Sequence, residues 1–247
     1  MRMSKIAPLA LALAVPLAVP FLSVGTAFAD GSASANLSPV VLNGSTGSGT
    51  AMVKVTGTTI EFTLAASGLA AGPHAAHIHF GANARHECPA VSDDANHDGR
   101  LTTTEGAPAY GAVVVSLTKT GDTSPKSGLA VDRFAAGSNI QYMRGGVTVS
   151  PEIAHAIEQG QAVVVVHGVS YTGAKAQLKS DLDPMLPASA TDPAICGRLM
   201  SAPAGGAATG AGGTSTGMDN TALLAAGGAL LVGAAGASVL TARRARV

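Results

Sequence analysis

The sequence predicts an all-β domain, an antiparallel sandwich or barrel, over residues 30–200. Three observations predict it: period-two alternation of apolar and polar residues, a run of four valines, and glycine-rich turns around a single helix pattern. The 247 residues carry 15 basic and 15 acidic side chains, so the formal net charge is zero. With no basic excess or stripe, a nucleic-acid partner is not expected. There is no phosphate-binding glycine loop and no G-x-S-x-G serine, so nucleotide and hydrolase functions are not expected either.

The strands follow from the pattern in order. Met52, Lys54 and Thr56 alternate with Val53 and Val55, and Ile60, Phe62 and Leu64 share one face of the next segment. A two-residue period puts one face inward and the other outward. Residues 75–80, 112–117, 146–149 and 162–169 are further strands, and Val163 to Val166 suit a central strand covered on both faces. One short helix is predicted between Ser150, its cap, and Gly160, with Pro151 in its first turn and Ile153 and Ile157 four apart. His155 is expected on its solvent side.

The ends read as targeting segments. A basic start, an apolar run over 6–24 and the small residues Ala27 and Ala29 around Phe28 predict a secretory signal over 1–29. Residues 201–220 form a Gly/Ala-rich linker, and 221–240 are long enough and apolar enough for a transmembrane helix. Arg243, Arg244 and Arg246 in the tail 241–247 place its end in the cytoplasm. This arrangement resembles the tail of a Gram-positive, hence bacterial, cell-surface protein, without an LPxTG sortase motif. The domain is therefore expected outside the cell, anchored to membrane or wall. In that oxidising setting Cys88 and Cys196, the two cysteines of the chain, suggest one disulfide closing a long loop.

The chemistry lies in the histidines, five of which fall between positions 74 and 97. His77 and His79 are two apart on a strand and so share a face, which is how a strand offers two ligands to one ion. His167, ending the valine run, is the candidate third. Imidazole suits copper, zinc, iron and nickel.

The segment from Gly68 to Gly81, GLAAGPHAAHIHFG, resembles the copper-site strand and loop of Cu/Zn superoxide dismutases. That resemblance implies a Greek-key barrel with His77 and His79 as copper ligands. It makes His74 a residue that ties loops together beside them. It extends to Val164-Val165-Val166-His167, implying a further ligand, and to Cys88 and Cys196, implying their disulfide. The first stretch is equally similar to CHRD domains, whose A-A-H-I-H segment is Ala75 to His79 and which have no established catalysis. The departures from the dismutases are specific. The bridging histidine is absent at its usual spacing, leaving His97 as the candidate fourth copper ligand. The zinc loop has no counterpart, so no zinc site is expected. Pro193 stands where the superoxide-guiding arginine is found.

In place of the zinc loop, residues 94–105 fit the pattern D-x-N-x-D-G-x-L-x-x-x-E. The spacing predicts calcium held by Asp94, Asn96, Asp98, the Arg100 carbonyl and Glu105, in a structural, dockerin-like loop. No helix is expected after it, because Gly106 and Pro108 follow at once. Three functions remain open from sequence: a copper-dependent superoxide dismutase, a copper-binding module without turnover, and a CHRD-like structural domain whose histidines hold loops. A fourth histidine at an open site favours the first, a three-histidine cluster the second, and histidines bonded to backbone the third.

Overall fold

The computed structural model describes residues 30–202. The predicted signal segment, transmembrane span and basic tail, and all but the first two residues of the linker, lie outside the described residues. Among the described residues no helix is long and apolar enough to cross a membrane.

The chain forms β1 (Gly31–Pro39), β2 (Ser48–Thr56), β3 (Thr59–Ser67), the two-residue β4 (Pro73–His74) and β5 (Ala76–Phe80). After a long loop come α1 (Thr103–Tyr110), β6 (Ala112–Ser116), β7 (Ala135–Ala136) and β8 (Asn139–Thr148). Then follow α2 (Pro151–Glu158), β9 (Val163–His167), the one-turn α3 (Ala188–Thr191), β10 (Pro193–Arg198) and β11 (Met200–Ser201). The main sheet is antiparallel, in the order β6-β5-β9-β10-β1-β2-β3-β8, with β11 also on β1. No backbone ladder joins β6 to β8 at the two ends of this order. Side chains span that opening instead: the Tyr142 hydroxyl donates to the Leu117 carbonyl at 2.6 Å and Arg144 Nη1 to that of Thr118 at 2.9 Å. The expected barrel is thus a curled sheet whose edges are fastened by side chains.

Alternation explains the core. Ala33, Ala35 and Leu37 of β1, Val53 and Val55 of β2, and Ile60, Phe62 and Leu64 of β3 all point inward. β9 is buried at every residue, because Val164 and Val166 face this main core while Val163 and Val165 face a second cluster with Leu101, Tyr110 and Cys196. That second cluster lies under the long loops on the other face of β5 and β9, the face that carries the histidines. The two residues at the start of the expected linker also belong to the domain. Ser201 is in β11 and the Ala202 N–H donates to the Ser32 carbonyl at 2.8 Å.

Two helices arise where none was predicted. α1 begins at a reciprocal capping box: Thr102 Oγ1 accepts the Glu105 N–H, and Glu105 Oε2 accepts the Thr102 N–H. Pro108 falls late in this eight-residue helix and removes one amide donor, which the caps outweigh. α3 is a single turn. The predicted helix is α2, with the Ser150 hydroxyl accepting the Ile153 N–H and His155 exposed.

Cys88 and Cys196 are disulfide-bonded, with Cα atoms 5.7 Å apart across 108 residues of sequence. The bond fastens the loop after β5 to β10, where Cys196 pairs with Val165.

Candidate metal centre

β5 and β9 are neighbours in register, with His77 opposite Val165 and His79 opposite Val163. His77 and His79 therefore share the face on which His167 also lies. Each is 4% exposed or less. One ring nitrogen from each lies within 4.8 Å of the corresponding nitrogens of the other two. Among the described residues this is the one set of three or more His, Cys, Asp or Glu side chains that converges in this way.

Three separate covering segments orient the rings. His77 Nε2 donates to the Gly128 carbonyl at 3.0 Å and His79 Nδ1 to that of Gly111 at 3.0 Å. His167 Nδ1 donates to the Thr191 carbonyl at 2.5 Å. Each bond fixes a tautomer, because the nitrogen facing a carbonyl must carry the proton and the other keeps its lone pair. The remaining atoms, His77 Nδ1, His79 Nε2 and His167 Nε2, are buried and have no hydrogen-bond partner. An unpaired buried polar group costs about 1–3 kcal/mol. Three buried lone-pair nitrogens within 4.8 Å of one another form a donor set for a cation, and the residues present therefore fit a metal ion.

Charge is excluded from the cluster. Burial, reinforced by His167, lowers His79 from 6.5 to about 3, and burial lowers His167 to about 4. Burial, with the neighbouring His167 and His79 rings, also takes His77 well below its usual value. All three are neutral at pH 7, the state a metal requires. The sign of the pH dependence follows. The unfolded chain takes up protons as pH falls through about 6.5 while the folded histidines do not, so metal-free stability declines from there toward pH 3. Asp192, raised by burial from 3.8 to about 6, opposes this between those two values. A pH series of urea melts is expected to show a net loss below pH 6 that substitution of His79 and His167 by Leu reduces, leaving the share of His77. An unchanged slope in that double variant would contradict the assignment.

The surroundings are aromatic and glycine-dependent. Tyr110 packs on His79 with ring centroids 4.5 Å apart, and Phe134 on His77 at 5.5 Å. Gly111, at φ +89°, follows α1 so closely against β5 that a Cβ there would collide with the Phe80 backbone. Its carbonyl thereby reaches His79. His74 does tie loops together: its ring nitrogens contact the His167 carbonyl at 2.9 Å and the Ala70 carbonyl at 2.8 Å.

Two expectations change. His97 does not join the cluster; it sits exposed at φ +56° on the loop before α1, so the candidate fourth ligand is withdrawn. The carboxylates of the calcium set, Asp94, Asp98 and Glu105, are not gathered as the three histidines are, and their loop is held by hydrogen bonds within the chain. Asp94 accepts the N–H groups of Asp98 and Gly99 at 3.2 and 2.9 Å, and the Asn96 side-chain oxygen also accepts that of Asp98. Glu105 caps α1, while the Arg100 guanidinium meets the buried Asp192 at 3.1 Å, which also accepts from the Tyr171 hydroxyl.

Sequence reasoning did not find the groups that shape access. A cavity of about 270 Å³ opens over the site, with His77 and His167 in its lining. Val113, Pro125, Leu129 and Leu182 also line it, with Lys126 as its one cationic residue. No spacing rule connects Lys126 to His77 across 49 residues.

A comparison with family models matches residues 27–174 to the CHRD domain, more than half of the chain and inclusive of all three histidines. The chain belongs to the CHRD domain family. This CHRD domain has no match among curated proteins. Among solved structures it is similar to superoxide dismutase 5 of Candida albicans. For one point variant of that protein the identity is 14%, the TM-score 0.40, and the likeness covers 72% of this chain and 96% of the other. For its Cu(II) form the identity is 13% and the TM-score 0.37, over 69% and 92% of the two chains. At that distance the likeness assigns no activity to this CHRD domain.

Proposed function

We propose that this CHRD domain is an extracytoplasmic copper-binding module, with copper held by His77 Nδ1, His79 Nε2 and His167 Nε2. The observation that carries this reading is the convergence of three buried, partnerless ring nitrogens, each fixed by a carbonyl on its far side. Of the divalent first-row metals, copper binds such nitrogen donors most tightly. When bound, it would supply one-electron redox chemistry. The chain's own contribution is to hold three neutral donors away from bulk water, beside a cavity that two of their rings line.

The reading includes cleavage after Ala29 and retention by the 221–240 segment, both from the sequence, and a disulfide suits that oxidising setting. Superoxide dismutation is a second reading, favoured by Lys126 beside the open approach, since a cation there raises the encounter rate with an anion. The test is titration of the metal-free protein with Cu(II), followed by a dismutase assay before and after loading. Binding of one ion per chain with no gain in dismutation supports the module. Failure to bind copper overturns both readings.

For calcium the proposal rests on the spacing of residues 94–105 alone, and Asp94 and Glu105 are held here by partners within the chain. The expected outcome is a melting temperature that does not change between excess EDTA and added calcium. A rise that Glu105→Gln abolishes would restore calcium to that loop.

A further inference from the structure

We infer that the cavity over the histidines takes a small organic acid, a single aromatic or branched aliphatic body carrying a carboxylate or phenolate. Its acid oxygen would face the metal and Lys126. This rests on the metal reading above and names the ligand class of that same site.

Size comes first. At about 270 Å³ the cavity lies just below the range of about 300–1,000 Å³ typical of small-molecule pockets, room for one ring and its substituent. A diatomic anion would leave most of it unfilled. The walls come second. Val113, Pro125, Leu129 and Leu182 give an apolar lining, and Leu129 and Leu182 remain 39% and 47% exposed at its rim. Apolar side chains held at the rim of a cavity lose water contact when an apolar body enters.

Charge comes third. Lys126, exposed in the Pro125–Ser127 turn, forms no ion pair among the described residues. That turn precedes Gly128, whose carbonyl orients His77, so the cation is carried by the same segment that sets a donor of the site. His77 and His167 line the cavity while His79 does not, so a bound ion would be reached past those two rings. Three protein donors leave a coordination position for an outside ligand. A carboxylate or phenolate satisfies both the cation and that position, and its hydrocarbon body satisfies the walls.

The test uses the protein loaded with Zn(II), a diamagnetic probe, and benzoate as ligand. Loading is read from the histidine imidazole resonances, and benzoate binding from the methyl resonances of Val113, Leu129 and Leu182. Saturable shifts confined to those methyls are expected, with Lys126→Met weakening benzoate and neutral benzamide binding less well than benzoate, each by about tenfold. If zinc shifts the imidazole resonances but benzoate leaves the methyls unmoved, the organic-acid inference is overturned and the metal site stands. Equal binding of benzamide and benzoate would overturn it too. If zinc leaves the imidazole resonances unchanged, the metal reading itself fails and takes the inference with it.

Discussion

Substituting His79 by Leu is expected to lower copper affinity by at least about 100-fold while leaving the metal-free domain folded. Altering a residue that merely hydrogen-bonds a ligand already costs about 10–100-fold in metal affinity, and here a donor is deleted. Two effects offset in the metal-free protein. The substitution removes a buried nitrogen without a partner, and it leaves the Gly111 carbonyl without its donor. Each such group is worth about 1–3 kcal/mol, so the net change in stability is expected to stay within about 2 kcal/mol. If the histidines instead served to hold loops, the order would invert, with a large loss of stability and no change in copper binding. Parallel urea melts and competitive copper titrations on His79→Leu distinguish the two.

Removing the disulfide should have the largest effect on stability. Cross-linking two residues about 100 apart restricts the unfolded chain by about 4.7 kcal/mol in the loop-entropy picture. A domain has about 5–15 kcal/mol in total. The Cys88→Ala, Cys196→Ala variant is therefore expected to melt about 10–20 °C lower. Alanine avoids placing a hydroxyl at position 196, which is 1% exposed against Val163 and Val165. The same variant should lose some copper affinity, because the fastened loop leads into α1 and the Gly111 carbonyl. A melting temperature within about 3 °C of the parent would show that the loops are held by their hydrogen bonds alone.

The period-two signal made β2 and β3 readable, the valine run made β9 so, and the two-residue spacing of His77 and His79 gave their shared face. β1 was not readable, since its inward residues are Ala33, Ala35 and Leu37 and two alanines make a faint stripe among serines. α1 carried a readable signal that the breakers overshadowed. Thr102 and Glu105 stand in capping-box spacing, and Gly106 and Pro108 drew attention from it. His97 shows the opposite error. It is near the other histidines in sequence, yet its loop is anchored to Asp192 through Arg100 and leaves it in solvent. The Gly111, Gly128 and Thr191 carbonyls and Lys126 belong to loops whose placement over β5 and β9 depends on tertiary packing. No local spacing encodes it.

The central claim is that three neutral histidines, and no other side chains among the described residues, form one copper site. Its most direct test is electron paramagnetic resonance of the metal-free protein titrated with Cu(II), alongside the His77→Ala, His79→Ala and His167→Ala variants. The account predicts a signal that saturates at one ion per chain with nitrogen hyperfine structure. Each variant should weaken binding and alter that structure, and His97→Ala should change neither. Unaltered spectra and affinities in the three site variants would contradict the account.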